Sequence, residues 1–74
     1  MDDFTETKDQ LKEIGANLRR ARDSRNITQQ VLADRADLDI RTLQRIEAGQ
    51  MNASITIVIR LKNALKCPWQ ELFP

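Results

Sequence analysis

The chain has 74 residues, 41% hydrophobic and 31% charged, with a formal net charge of +1, one cysteine and no histidine. That length supports a single domain, residues 1–74, with little surplus burial, and no segment approaches the roughly 18 apolar residues that would span a bilayer. A lone Cys67 without histidine excludes an intramolecular disulfide and a Cys/His zinc site, so no metal or cofactor is expected, and the acidic start MDDFTETKD is unlike a signal peptide, which points to the cytoplasm.

Strand signals are almost absent, and the chain reads as all-α. Residues 1–8 are expected to form a partly disordered extension. A first helix is predicted from about Thr7 to Arg25, where Leu11, Ile14, Leu18 and Ala21 recur at spacings of three and four. Arg22 falls on the same stripe, so its guanidinium heads inward and must either find an acid or reach water along its stem. Glu47 is the natural acid. Arg25, at the helix end, is expected to reach solvent, with Arg19 and Arg20 as surface charge.

Thr28 is positioned to N-cap a second helix through about Ala36, with Leu32, Ala33 and Ala36 as its inner side and Asp37 ending it. Asp39 is positioned to cap a third helix from Ile40 to Ala48, which Gly49 closes in a left-handed conformation. Along this helix, at about 100° per residue, Leu43 and Ile46 lie on one side with Thr42 and Glu47 on its flanks. Arg41, Gln44, Arg45 and Ala48 cluster opposite. The outer cluster is either an ordinary solvated face or a reading surface. Arg and Gln carry paired groups that match guanine and adenine edges in a major groove. Charge placement bears on that choice, because seven of the eight arginines fall between Arg19 and Arg45 among four acids.

After a loop at residues 50–53, Ser54 caps a fourth helix through about Leu65, whose inner stripe is predicted to be Ile55, Val58, Leu61 and Leu65. Pro68 suits the first turn of a short fifth helix ending at Phe73. Ile57 and Ile59 lie about 90° or more from the centre of the fourth helix's stripe, and Trp69 and Phe73 are large for a terminal turn. These four side chains either fill the core of one copy or meet a second copy.

Arg22, the segment TQQVLADRADLDIRTLQRIEAG and the ending NALKCPWQELF together resemble the lambda-repressor-like helix-turn-helix family, the Cro and XRE group of bacterial and phage regulators. The resemblance covers roughly Ile14 to Phe73. It implies a compact five-helix bundle with the helix-turn-helix at about residues 28–48, whose second motif helix enters the major groove. It also implies that Ile40, Arg41, Gln44 and Arg45 read bases. Thr28, Gln29, Thr42, Gln50 and Asn52 would contact the DNA backbone, and Arg22 with Glu47 would form a structural salt bridge. Four positions depart from the family pattern: Asp37 stands where many members have glycine, Val31 where an acid would complete a capping box, Lys62 where a small alanine is usual, and Ile40 where a polar reader is common. Lys62 is expected to reach water or an acid, and Ile40 to meet a thymine methyl group.

The expected function is a sequence-specific DNA-binding transcription regulator, a repressor or controller, that binds a near-palindromic operator as a homodimer through Ile57, Ile59, Trp69 and Phe73. A prophage-type repressor, a restriction-modification controller and an antitoxin are its narrower forms. The alternative is an antitoxin-like protein-interaction module with weak DNA binding. No membrane and no small-molecule ligand is expected. Without histidine, a phosphate-cradling glycine loop or a base beside Cys67 or any serine, an enzyme lacks its parts.

Overall fold

The computed structural model describes residues 4–74, and among these it is all helical: α1 (Phe4–Asp23), α2 (Gln29–Arg35), α3 (Ile40–Glu47), α4 (Ile55–Leu65) and α5 (Trp69–Leu72). The first helix begins three residues before Thr7. Of the extension expected at residues 1–8, residues 1–3 lie outside the described residues and residues 4–8 belong to α1. None of the described helices is long and apolar enough to cross a membrane.

The starts of α2, α3 and α4 and the exits of α1 to α4 have local chemical causes. Thr28, Asp39 and Ser54 all sit in extended backbone and accept a hydrogen bond from a backbone N–H of the first turn, those of Val31, Arg41 and Ile57. These side chains satisfy donors that a helix start leaves orphaned. The helix exits use the left-handed region. Asn26, Asp37 and Lys66 adopt φ of 55°, 55° and 54°, and Gly49 adopts 71°. The sequence suggested this role for Gly49 and, with more strain, for Asp37; Lys66 has no residue-type signal for it.

One core joins all five helices: Leu18 and Ala21 of α1, Leu32 and Ala33 of α2, Leu43 and Ile46 of α3, Leu61 and Leu65 of α4, Leu72 of α5, and Cys67 between the last two. Burial pushes the Cys67 thiol pKa up, which keeps it a protonated core side chain. Helix α1 packs against α3 and α5, while α2 packs against α3 and α4. The α1–α3 crossing is close because Gly15 has no side chain: a Cβ there would stand 2.4 Å from the carbonyl oxygen of Ile46 and 2.6 Å from that of Glu47.

The fourth helix keeps Leu61 and Leu65 of its predicted stripe in the core, at 2% and 3% exposed, but its first turn departs from it. Ile55 is 73% exposed, whereas Ile57 packs against the core beside Leu61 and Leu65. Four of the first five residues of α4 are Ile or Val, so the pattern carries no phase and tertiary packing decides which of them face inward. Lys62, expected to reach water or an acid, extends its Nζ to 5.3 Å from the ring centroid of Trp69, a side chain that is itself 43% exposed. The ring's negative face supplies the attraction.

Arg25 does not simply run out to solvent. Its Nη1 and Nη2 donate to Glu71 Oε2 and Oε1 at 2.8 and 2.9 Å, while its Nε donates to the carbonyl of Leu65 at 2.9 Å. On the same side of α1 the buried Asn17 donates from Nδ2 to the carbonyl of Leu72 at 3.1 Å. Together these bonds hold the four-residue α5, which is too short to be stable by itself. The Arg25 hydrogen bond lowers the Glu71 pKa from its ordinary value. A carboxyl whose pKa is lower in the folded state adds stability above its unfolded pKa and loses it as pH falls through the folded value. The stability gap between the wild-type chain and Glu71→Gln, followed by urea denaturation, is therefore expected to be full at neutral pH and to close on acidification through the carboxylate range. A gap that does not change with pH would separate Glu71 from the docking of α5.

Candidate nucleic-acid interface

Helices α2 and α3 meet through the turn Ala36–Asp39, closed by bonds from the Leu38 N–H to the Ala33 carbonyl at 2.8 Å and from the Asp37 N–H to the Asp34 carbonyl at 3.2 Å. Helix α3 buries Leu43, Ile46 and Glu47 and exposes Arg41, Gln44, Arg45 and Ala48. Its one acid faces inward, so its outer surface carries two cations and a carboxamide uncompensated from within the helix.

Glu47 is the anchor of that orientation. Arg22 donates to it twice, Nε to Oε2 at 2.8 Å and Nη2 to Oε1 at 3.1 Å, with the two side chains only 9% and 3% exposed. A third bond, from Arg22 Nη1 to the carbonyl of Ile27 at 2.9 Å, ties the same guanidinium to the loop before α2. The hydrogen bond from Arg22 to Glu47 raises the guanidinium pKa against the opposing effect of burial. A planar fork facing a carboxylate fixes two helices in angle as well as distance.

The network continues to the surface. Gln29, the first residue of α2, donates from Nε2 to Glu47 Oε1 at 3.1 Å and accepts from Gln44 Nε2 at 3.4 Å. Arg22, Glu47, Gln29 and Gln44 thus form one chain of side chains from the core to the outer face of α3. The family resemblance implies only a DNA-backbone role for Gln29; its link to Glu47 depends on how closely α2 and α3 approach, which no residue-type pattern marks. A carboxamide has two N–H donors and a carbonyl acceptor. Gln44 spends one N–H on Gln29 and keeps an N–H and the oxygen, the pair that adenine requires.

The remaining candidate residues are placed less uniformly. Thr28 is exposed and Thr42 half-buried. Ile40 is half-buried and packs against the core, so only part of it faces outward. Gln50 and Asn52 are exposed in the loop between α3 and α4. Of the residues expected between copies, Ile59, Trp69 and Phe73 are 40%, 43% and 44% exposed, while Ile57 is drawn into the core. Trp69 and Phe73 lie with ring centroids 6.0 Å apart. Ile55 and Val31 add to the exposed apolar surface.

Comparison with known proteins agrees with this geometry. The family profile described as Helix-turn-helix matches residues 18–72. Among solved structures, the restriction-modification controller protein C.AhdI from Aeromonas hydrophila is similar at 33% sequence identity and a TM-score of 0.82, with 85% of this chain and 96% of that one covered. No curated protein sequence matches the chain. An Arg/Gln surface on the second motif helix, the buried ion pair behind it and the match over residues 18–72 converge: the chain belongs to the helix-turn-helix family, in its Cro/XRE type, and is a DNA-binding regulator.

Proposed function

We propose that the protein is a sequence-specific transcription regulator that binds a near-palindromic operator as a homodimer, with α3 of each copy in the major groove. The observation that carries this reading is the outer face of α3, where Arg41, Gln44 and Arg45 are exposed while Leu43, Ile46 and Glu47 hold the opposite face in the core. Arg41, Gln44 and Arg45 read base edges, and Ile40 contributes an apolar contact. Thr28, Gln29, Thr42, Gln50 and Asn52 hold phosphates, which fix register without carrying sequence information. Ile59, Trp69 and Phe73, with the exposed part of Ile57, meet a second copy, setting two recognition helices about one DNA turn, roughly 34 Å, apart. The likeness to C.AhdI supports a restriction-modification controller as the narrower role. The protein works in the cytoplasm, takes no small-molecule ligand and performs no catalytic step.

Selection of bound sequences from a random DNA pool tests this directly, because a homodimer returns two inverted half-sites. On the selected site, Arg41→Ala and Arg45→Ala should each cost about 1–3 kcal/mol and relax base preference at one position per half-site. Equal losses on selected and random DNA would remove both arginines from the set of base readers.

The exposed Ile55, Ile59, Trp69 and Phe73 favour a second reading, an antitoxin-like module that holds a protein partner and binds DNA weakly. In that case the pool selection returns no enriched sequence and binding shows little salt dependence.

A further inference from the structure

Arg60 is the single arginine outside residues 19–45, and the proposed reading surface does not use it. It projects from α4 onto the turn of the helix-turn-helix. Its Nε donates to the carbonyl of Ala36 at 2.8 Å, and its Nη2 donates to the carbonyl of Asp37. Ala36 is the C-cap of α2, and Asp37 follows it in the left-handed region with φ 55°. The upstream carbonyls of Leu32, Ala33 and Asp34 already accept from the backbone N–H groups of Ala36, Leu38 and Asp37. Two successive carbonyls beyond them are met by one guanidinium.

Three physical points give this contact a role. A non-glycine residue in the left-handed conformation is disfavoured, and Asp37 replaces the residue type that adopts it without penalty. The fork of an arginine matches two neighbouring oxygens, whereas a lysine ammonium offers one compact charge. The ion pair itself is minor: Arg60 Nη2 lies 3.9 Å from Asp37 Oδ2, with the side chains 38% and 104% exposed, so solvent screens it. The carbonyl bonds, not the carboxylate, are what hold the turn.

We propose that Arg60 is a positioning residue for DNA reading: it fixes the Ala36–Asp37 turn from outside the motif and so sets the aim of Arg41, Gln44 and Arg45. The inference rests on the major-groove reading proposed above.

The test compares affinity for the selected operator with affinity for random DNA in the wild-type protein, Arg60→Lys and Arg60→Met. Each is read at a temperature where its circular dichroism matches that of the folded wild type. Arg60→Lys keeps the charge and loses the fork; Arg60→Met keeps the apolar stem and serves where the lysine variant does not fold. Misaiming one or more base contacts should lower operator affinity about tenfold while random-DNA affinity changes much less. An operator-to-random ratio equal to that of the wild type overturns the proposal, as does an equal fall on both DNAs with Arg60→Met. A wild-type protein with no preference for any sequence instead overturns the reading on which the proposal rests.

Discussion

Glu47→Ala is expected to lower the free energy of unfolding by about 3–5 kcal/mol, the cost of leaving one member of a buried ion pair without its partner. For a small domain with a typical stability of roughly 5–15 kcal/mol, that loss brings much of the population to the edge of unfolding. The reason is that Glu47 takes most of what Arg22 donates, and the anion left to it, Asp23 Oδ1 at 3.2 Å from Nη1, sits on a side chain 58% exposed to screening solvent. The Arg22 side chain is 9% exposed, and two of its bonds end on Glu47. An arginine guanidinium keeps its proton in proteins, so deprotonation does not relieve the buried charge. Gln29 loses its acceptor in the same substitution. The ion pair between Arg19 and Asp23 is a useful contrast: at 3.8 Å and with side chains 69% and 58% exposed, it is worth at most about 1 kcal/mol. Replacing both Arg22 and Glu47 with leucine should recover a large part of the loss, because the penalty lies in the unpaired charge rather than in the missing attraction. Guanidinium denaturation of the wild type and these two variants decides the matter. An unchanged midpoint for Glu47→Ala would refute the anchoring role.

Gly15→Ala should also destabilise the fold, although alanine is the better helix former. Within a helix the exchange gains about 1 kcal/mol of propensity. Against it stands a Cβ placed 2.4 Å from the carbonyl oxygen of Ile46 and 2.6 Å from that of Glu47. Those atoms are backbone, with no rotamer by which to step aside, so α1 and α3 must separate. Overpacking of this kind costs about 1–3 kcal/mol and sometimes more. Separation also lengthens the bonds between Arg22 and Glu47, which cross the same interface. We therefore expect a net loss, visible as a lower melting temperature and faster amide exchange in α3. A melting temperature at or above that of the wild type would mean that the helices slide apart without penalty.

The helix-turn-helix was legible in the sequence because its signals are local. Thr28, Asp39 and Ser54 announce helix starts by their hydroxyl or carboxylate, and Gly49 marks an end. The inward face of α3 follows from Leu43 and Ile46, and the outer face from what is left. Arg22 and Glu47 were readable as a pair because a charge on an apolar stripe needs an opposite charge. The phase of α4 was not readable at its start, since Ile55, Ile57, Val58 and Ile59 leave only Thr56 to mark the outside. Arg25 with Glu71, and Asn17 with the carbonyl of Leu72, join residues 46 and 55 positions apart. The second of these, like both bonds of Arg60, ends on a backbone oxygen. Every residue has such an oxygen, so its use leaves no mark in the side-chain pattern. Gln29 was assigned to the DNA backbone by resemblance to a family, while its place between Glu47 and Gln44 depends on how closely α2 and α3 approach.

The docking of α5 on α1 has a consequence in time rather than in space. A ribosome makes α1 first, yet the carbonyl that receives the Asn17 side chain belongs to Leu72, 55 residues later. Glu71, the partner of Arg25, is nearly as late. During the seconds of intervening synthesis, the side of α1 that faces α5 has no permanent neighbour, and contacts of such long sequence separation are slow to close. The nascent chain therefore completes its core only when the segment around Leu72 has cleared the exit tunnel, and the regulator becomes competent as a unit rather than helix by helix.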